Sequence, residues 1–297
     1  MGTSKGYGGP PNGLVPSWLS SSGGDEADSG SGDGADHGDG SGDSTDGSGG
    51  ATNPNSADAG GFTGARTAFT RFSKNGSSSS LGAAMASYVG GNGGGIRSGS
   101  RGGGGGGSGA RRAMQRMGAS RGAGARLLGV VRDFQQLGAA DVLRRLDLDG
   151  MVNQPAADVF VAMLEFLCPP GGAIDEAISR QAMLEAIGNL DEVGGSDFGS
   201  LTPDQLREFF LDFVVLSIEG RVIADIGAKG LMVSADIETL ESTHTQLHEF
   251  IEGCCRVHLS GLLTGLAALS NNDVDRRTNE VYEAAFSLIA EAGEDGQ

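Results

Sequence analysis

The chain has 297 residues, of which 54 are glycine and 5% are aromatic, and its formal net charge is −17. Average glycine usage of about 7% would give roughly 20, and the excess sits at one end, with 37 of the 54 in residues 1–125. Several classes fall away: no run approaches the ~18 apolar residues of a membrane helix, the first ten residues hold no apolar signal core, and the glycines lack a Gly-X-Y period.

Glycine has no side chain to bury and loses the most backbone entropy on folding, so much of the first 125 residues is not expected to fold alone. Three cysteines, two of them the adjacent Cys254 and Cys255, make no disulfide framework. A reducing, cytoplasmic setting is expected, with no membrane contact.

The charge divides into three blocks. Residues 1–65 carry nine acids and one base, Lys5, for a net of −8. Residues 66–132 carry eleven bases and no acid, for +11, and residues 133–297 carry a net of −20. The basic block is nearly all arginine, which suits bidentate contacts to phosphate or carboxylate. Two readings stand. It meets a polyanion, through Arg66, Arg71, Lys74, Arg111, Arg112 and Arg116. Alternatively it is a basic arm lying on the acidic C-terminal domain of the same chain.

In chain order, residues 1–19 form a Gly/Pro-rich tail that ends in Leu14-Val15-Pro16-Ser17-Trp18-Leu19 and contains the only Trp. Leu14, Val15, Trp18 and Leu19 read as a docking peptide for a partner, or as a turn packing back onto the domain. Residues 20–61 are Gly, Ser and Asp with little else, a composition that reads as a flexible, self-repelling acidic linker. In residues 62–89, Phe62, Ala65, Phe69 and Phe72, then Leu81, Met85, Tyr88 and Val89, recur at helical spacing. One or two short basic helices are expected there. Their apolar stripe either stacks on nucleic acid or packs on another helix. Residues 90–109 are a second Gly-rich linker.

From residue 110 to 297 the pattern is helical. Expected helices cover 110–117, 125–137, 141–146, 156–167 and 174–190. Thr202-Pro203-Asp204-Gln205 then spells a capping box with Pro at the first helical position, opening a helix to about Ile218. An apolar helix is expected from Ser234 to about Leu269, and a last one from Asn272 to about Ala292. No run alternates with period two. The fold class is therefore all-α: a helical domain preceded by a long, largely disordered Gly/Ser/Asp-rich region with short basic helices.

Chemistry is sparse. His244, His248, Cys255 and His258 share one helical sector, and i,i+4 imidazoles can seed a metal site. His244 and His258 would lie about 21 Å apart along a helix, too far for one ion. Leu247, Ile251 and Leu262 mark the same sector as a core face, so structural His and Cys are expected there. No nucleophile with a positioned base, no phosphate-binding loop and no zinc-protease motif occurs. No catalytic residue, metal or cofactor is assigned.

Met1-Gly2-Thr3-Ser4 leading through a Gly/Pro stretch to Leu14-Val15-Pro16-Ser17-Trp18-Leu19 resembles the N-terminus of QatB proteins, subunits of the four-gene Qat anti-phage defence systems of bacteria. The resemblance continues in Ala65-Arg66-Thr67-Ala68-Phe69-Thr70-Arg71-Phe72 and in Ala110-Arg111-Arg112-Ala113-Met114. It implies a non-enzymatic subunit whose partners are an ATPase (QatA), a QueC-like enzyme (QatC) and a TatD-like metal nuclease (QatD). It further implies that Gly2, freed by removal of Met1, is an acceptor amine for a 7-deazaguanine, with Thr3, Ser4 and Lys5 read by the QueC-like enzyme. The myristoylation pattern wants Ser or Thr where Gly6 stands, so a lipid is not expected.

Overall fold

A computed structural model describes residues 62–91, 106–192, 197–227 and 237–295. These residues form eleven α-helices and no strand; one isolated bridge joins Pro155 to Asp197. The all-α expectation holds for them. No helix among them is long and apolar enough to cross a membrane.

The first two helices are α1 (Thr63–Asn75) and α2 (Ser78–Gly90). Gly76 ends α1 at φ +62°, a left-handed cap that lets its N–H donate to the Phe72 carbonyl at 2.8 Å. The stripe predicted for this region is core. Phe62, Ala65, Phe69, Phe72, Leu81, Met85, Tyr88 and Val89 are all buried, in the same apolar cluster as the later helices.

The next pair is α3 (Gly106–Gln115) and α4 (Gly118–Leu137). Helix α4 begins seven residues before the expected start at Ala125. Gly118, Gly122 and Gly124 fall in the gap between the two expected helices and are helical here. In the fold Gly124 faces other helices: a Cβ there would lie 3.3 Å from Thr278 and 3.5 Å from Phe213 and Tyr282. Short elements follow: α5 (Ala139–Arg145), α6 (Ala156–Ala162) and α7 (Leu164–Leu167). The helix expected over 156–167 is broken at Met163.

Next come α8 (Ile174–Glu192) and α9 (Pro203–Val222), the latter continued by a π-helical turn, Ile223–Gly227. The capping box is formed: the Gln205 N–H donates to Thr202 Oγ1 at 3.2 Å, and the Thr202 N–H donates to Gln205 Oε1 at 2.8 Å. A Thr cap of this kind is worth about 1 kcal/mol. From Phe213 to Glu219 every side chain of α9 is buried, so the helix is covered all round.

Helix α10 (Ile237–Leu259) stops ten residues short of the expected end; two 3-10 turns, Ser260–Leu263 and Leu266–Ala268, replace it around Gly265 at φ +67°. Helix α11 is Asn271–Asp295. Its cap is Ser270, not Asn272. The Asp273 N–H donates to Ser270 Oγ at 3.3 Å, and Ser270 Oγ–H donates to Asp273 Oδ2 at 2.7 Å.

Helices α4, α9, α10 and α11 form a ring in which each packs on its two neighbours. Helices α1–α3 cover the α11 side, and α5–α8 cover the α4 and α9 side. Tyr282 ties the centre together: its hydroxyl lies 2.8 Å from Ser217 Oγ on α9 and 3.4 Å from the Ser120 carbonyl on α4.

Candidate functional site

Two arginines of the basic block, Arg66 and Arg116, meet at Asp225. Asp225 sits in the π turn that ends α9. Tyr88 of α2 donates its hydroxyl proton to Asp225 Oδ2 at 2.9 Å. Arg221, one turn back, donates Nε–H to the same oxygen at 3.1 Å. Arg66 of α1 donates to the Asp225 backbone carbonyl at 3.0 Å. Arg116, between α3 and α4, holds Nε at 3.8 Å from Oδ2. That distance makes an ion pair without a hydrogen bond.

Arg116 is held largely by rings. Its guanidinium carbon lies 4.9 Å from the Phe62 ring centre and 5.0 Å from that of Tyr88. The two rings are themselves stacked at 5.2 Å. Such cation–π contacts contribute about 0.5–2 kcal/mol, more when water is excluded. Burial, then the Asp225 charge, pushes the Tyr88 pKa above its ordinary value, so the phenol stays protonated and remains a donor. Burial alone would lower the Arg221 pKa. Asp225, by its charge and its hydrogen bond, with Asp175, outweighs that and raises it, keeping the guanidinium charged.

Asp175 extends the junction. Its Oδ2 accepts the Ala119 N–H at 2.6 Å, in the first turn of α4, and its Oδ1 lies 3.8 Å from Arg221 Nη1. Burial raises the Asp175 pKa, while the Ala119 hydrogen bond and Arg221 oppose that rise. Helices α1, α2, α4, α8 and α9 thus meet through one buried polar network.

A second polar seam joins α9 to α10. Glu219 is 2% exposed. His248 Nδ1 lies 2.8 Å from one of its oxygens and His244 Nε2 3.1 Å from the other. Asp212 and Glu208 on α9 and Glu252 on α10 surround Arg256, which pairs with all three. Burial raises the Asp212 pKa, with Arg256 opposing. Among the described residues no set of three His, Cys, Asp or Glu is placed to hold a metal ion. His258, the far member of the predicted sector, is exposed.

Burial raises the Cys168 and Cys254 pKa values and pushes Cys255 up to about 12, so all three stay protonated at neutral pH.

The His248 pKa is raised above the ordinary ~6.5, first by the Glu219 hydrogen bond, against burial, which lowers it. The charges facing it are Glu219 and Asp212 from α9, and Glu252 and Arg256 from its own helix. A raised folded-state pKa means that the native chain binds the proton more tightly than the unfolded one. The stabilisation is complete below about pH 6.5 and is lost as pH rises through the folded value. Unfolding free energy is therefore expected to fall as pH climbs above about 6.5, and His248→Gln should flatten that fall. Denaturant titrations at a series of pH values measure this; identical slopes in both proteins would remove His248 as the cause.

The six basic residues singled out in sequence separate in space. Arg66 and Arg116 are half-buried at Asp225. Arg111 pairs with Glu283 at 3.7 Å, and Arg112 folds back on Ser108, Nε to the carbonyl at 3.1 Å. Arg71 and Lys74 lie on the exposed face of α1. Gly2, Thr3, Ser4, Lys5, Leu14, Val15, Trp18 and Leu19 lie outside the described residues, as do the whole acidic linker, 20–61, and residues 92–105 of the Gly-rich linker. Sequence reasoning missed Asp225, Arg221 and Glu219. The available signal was three charges within seven residues at the end of a helix with a long apolar run, where an unpaired charge is prohibitively costly.

A family model for the "Qat anti-phage system associated protein QatB" matches residues 108–289. The chain belongs to the QatB family. It is accordingly a protein of an anti-phage defence system. The match runs from α3 through most of α11 and includes Arg116, Arg221, Asp225 and Glu219; Phe62, Arg66 and Tyr88 precede it. No curated protein and no solved structure gives a significant match to the chain.

Proposed function

We propose that this QatB-family chain is a non-enzymatic, cytoplasmic subunit of its defence system. Its helical domain holds the partner proteins QatA, QatC and QatD, and its N-terminal tail is a substrate of the QueC-like partner. The observation that carries the reading is the family match over the helical ring. Asp225 and its arginines then serve to lock the platform.

Gly2 is the proposed acceptor. After removal of Met1 its α-amine has an ordinary pKa near 7.7–8.0, so roughly a tenth is unprotonated at pH 7. A lysine amine near 10.4 is unprotonated to well under a thousandth. The α-amine is thus the stronger candidate nucleophile by about two orders of magnitude in available base. Glycine adds no side chain at the reacting nitrogen, and Thr3, Ser4 and Lys5 supply the contacts for recognition.

Intact-mass measurement of the chain co-expressed with its system partners tests this. The expected result is loss of Met1 and a gain equal to one deazaguanine adduct. Gly2→Ala should keep the helical signal in circular dichroism, lose the adduct and lose defence. A Met-cleaved, unmodified mass from cells in which the system is active would overturn the tail assignment and leave the platform role standing.

A further inference from the structure

A groove runs between α4, α5 and α7. One face of α4 carries Arg126, Gly129, Val130, Asp133 and Leu137, spaced three and four apart as one helical face requires. Gly129 lies in the middle of this helix, where glycine weakens helical structure. No neighbour explains it: a Cβ at Gly129 would meet nothing within 4 Å. The effect of glycine here is to leave the floor of the groove open.

The groove is apolar below and cationic above. Val130 and Val142 form its floor, with Leu146 and Phe166 along the sides. Phe166 is 44% exposed and Leu137 on the same face of α4 is 38% exposed, unusual for side chains of that size. Arg126 and Arg145 line it toward solvent, and Arg132, 9% exposed, is buried beside them. A single lining carboxylate, Asp133, accepts from Arg132 at 2.6 Å and from Arg145 at 3.2 Å. Arg126 is tied only to the Leu167 carbonyl, at 2.9 Å. Three guanidiniums against one carboxylate make the groove net positive, although residues 133–297 as a whole are strongly acidic. The space is about 180 Å³. An apolar cavity of about 150 Å³ admits a benzene ring, so one aromatic side chain fits.

We infer that this groove seats the Leu14–Leu19 segment of the same chain, with Trp18 as its anchor. The chemistry matches on both counts. Leu14, Val15, Trp18 and Leu19 supply an apolar cluster, and Asp25, Glu26 and Asp28, which follow it in sequence, are opposite in charge to Arg126 and Arg145. Residues 1–65 carry nine acids and one base, the complement of the groove's sign. Arginine also favours the face of an indole.

Length does not limit the contact. Forty-two residues separate Leu19 from Phe62, where the described chain begins. At up to ~3.3 Å each they span well over 100 Å, against a radius of gyration of about 17 Å for a domain of this size. A segment tethered in this way works at an effective concentration on the order of mM, so even a mM dissociation constant fills the groove about half of the time. This inference is independent of any chemistry at Gly2.

Trp18 is the only tryptophan in the chain, so tryptophan emission of the full-length protein reports this segment alone. The expected emission is blue-shifted from that of a free Leu14–Leu19 peptide, with acrylamide quenching several-fold weaker. Gly129→Leu fills the groove and improves helix propensity. It should return quenching to the peptide value while the helical signal and unfolding midpoint hold. Phe166→Ser, at an exposed position, should do the same and guards against a folding defect in the first variant. Quenching of the wild type equal to the peptide's would overturn the inference. So would shielding that survives Gly129→Leu, which places Trp18 elsewhere, or shielding lost on dilution, which places it on a second copy.

Discussion

Exchanging Asp225 for alanine is expected to lower the unfolding free energy by about 3–5 kcal/mol, the cost of stripping one partner from a buried ion pair. One carboxylate oxygen accepts from Tyr88 and from Arg221 and faces Arg116. The Asp225, Arg221 and Arg116 side chains are only 13%, 17% and 18% exposed, so water cannot replace the lost charge. At about 2–4 °C per kcal/mol for a domain of this size, the melting temperature should fall by on the order of 10 °C. Asp225→Asn keeps an acceptor for Tyr88 and removes the charge, so it should fall between wild type and alanine. Tyr88→Phe should cost only about 1 kcal/mol, one hydrogen bond. Thermal and denaturant unfolding followed by circular dichroism measure all three. A loss below about 1 kcal/mol in Asp225→Ala would mean that solvent enters the junction.

Gly293→Ala is the second large effect, and its sign runs against helix propensity. In an exposed helix interior, Gly→Ala gains about 0.8–1 kcal/mol. Gly293 of α11 instead meets the backbone of α2. A Cβ there would stand 2.5 Å from the Gly82 carbonyl oxygen and 2.9 Å from the Ala86 nitrogen. Neither atom is the end of a flexible side chain, so the helices must separate. Overpacking of this kind costs about 1–3 kcal/mol and occasionally more. A net loss of about 2 kcal/mol is expected. Gly82→Ala should cost less, because its nearest contact is the Gly293 carbonyl oxygen at 3.1 Å. Gly188→Ala on α8, with nothing within 4 Å, should be stabilising. The ordering of the three midpoints is the measurement; a Gly293→Ala midpoint as high as that of Gly188→Ala would show that the α2–α11 crossing is looser than described.

Local signals were the legible part of this fold. Thr202-Pro203-Asp204-Gln205 states its capping box within four residues, and α9 starts where it says. The start of α4 was illegible because glycine reads as a breaker in sequence, whereas Gly124 here admits Phe213 and Tyr282 of other helices. Close helix crossings select glycine for reasons that lie far along the chain, here at Phe213, Thr278 and Tyr282, and no local window contains them. The cap of α11 was misplaced by two residues because Asn272 and Ser270 are both acceptable caps; Asp273, three residues after Ser270, decides between them.

The polar junction was half legible. The charge division marked residues 66–132 as a block that must meet acid, and the acidic domain of the same chain was one of its two readings. Arg66, Arg111 and Arg116 do meet Asp225 and Glu283. Which acids they meet depends on the packing of α1 and α2 against the end of α9, a contact between residues some 140 to 160 positions apart. For His244 and His248, helical spacing located the face correctly. The partner, Glu219, lies on another helix, and spacing along one helix carries no information about it.

The α2–α11 crossing also separates two boundaries that are easily taken as one. The family match begins at residue 108, but Phe286 of α11 lies 6.4 Å from the Tyr88 ring, and Gly293 rests on Gly82. A fragment trimmed to residues 108–289 would bare the side of α11 that α2 covers and leave Arg116 without its two rings. The matched stretch is thus smaller than the packed unit: loss of residues 62–90 would bare a face of α11 that lies within the match, and residues 108–289 alone should unfold at a lower temperature than the full chain.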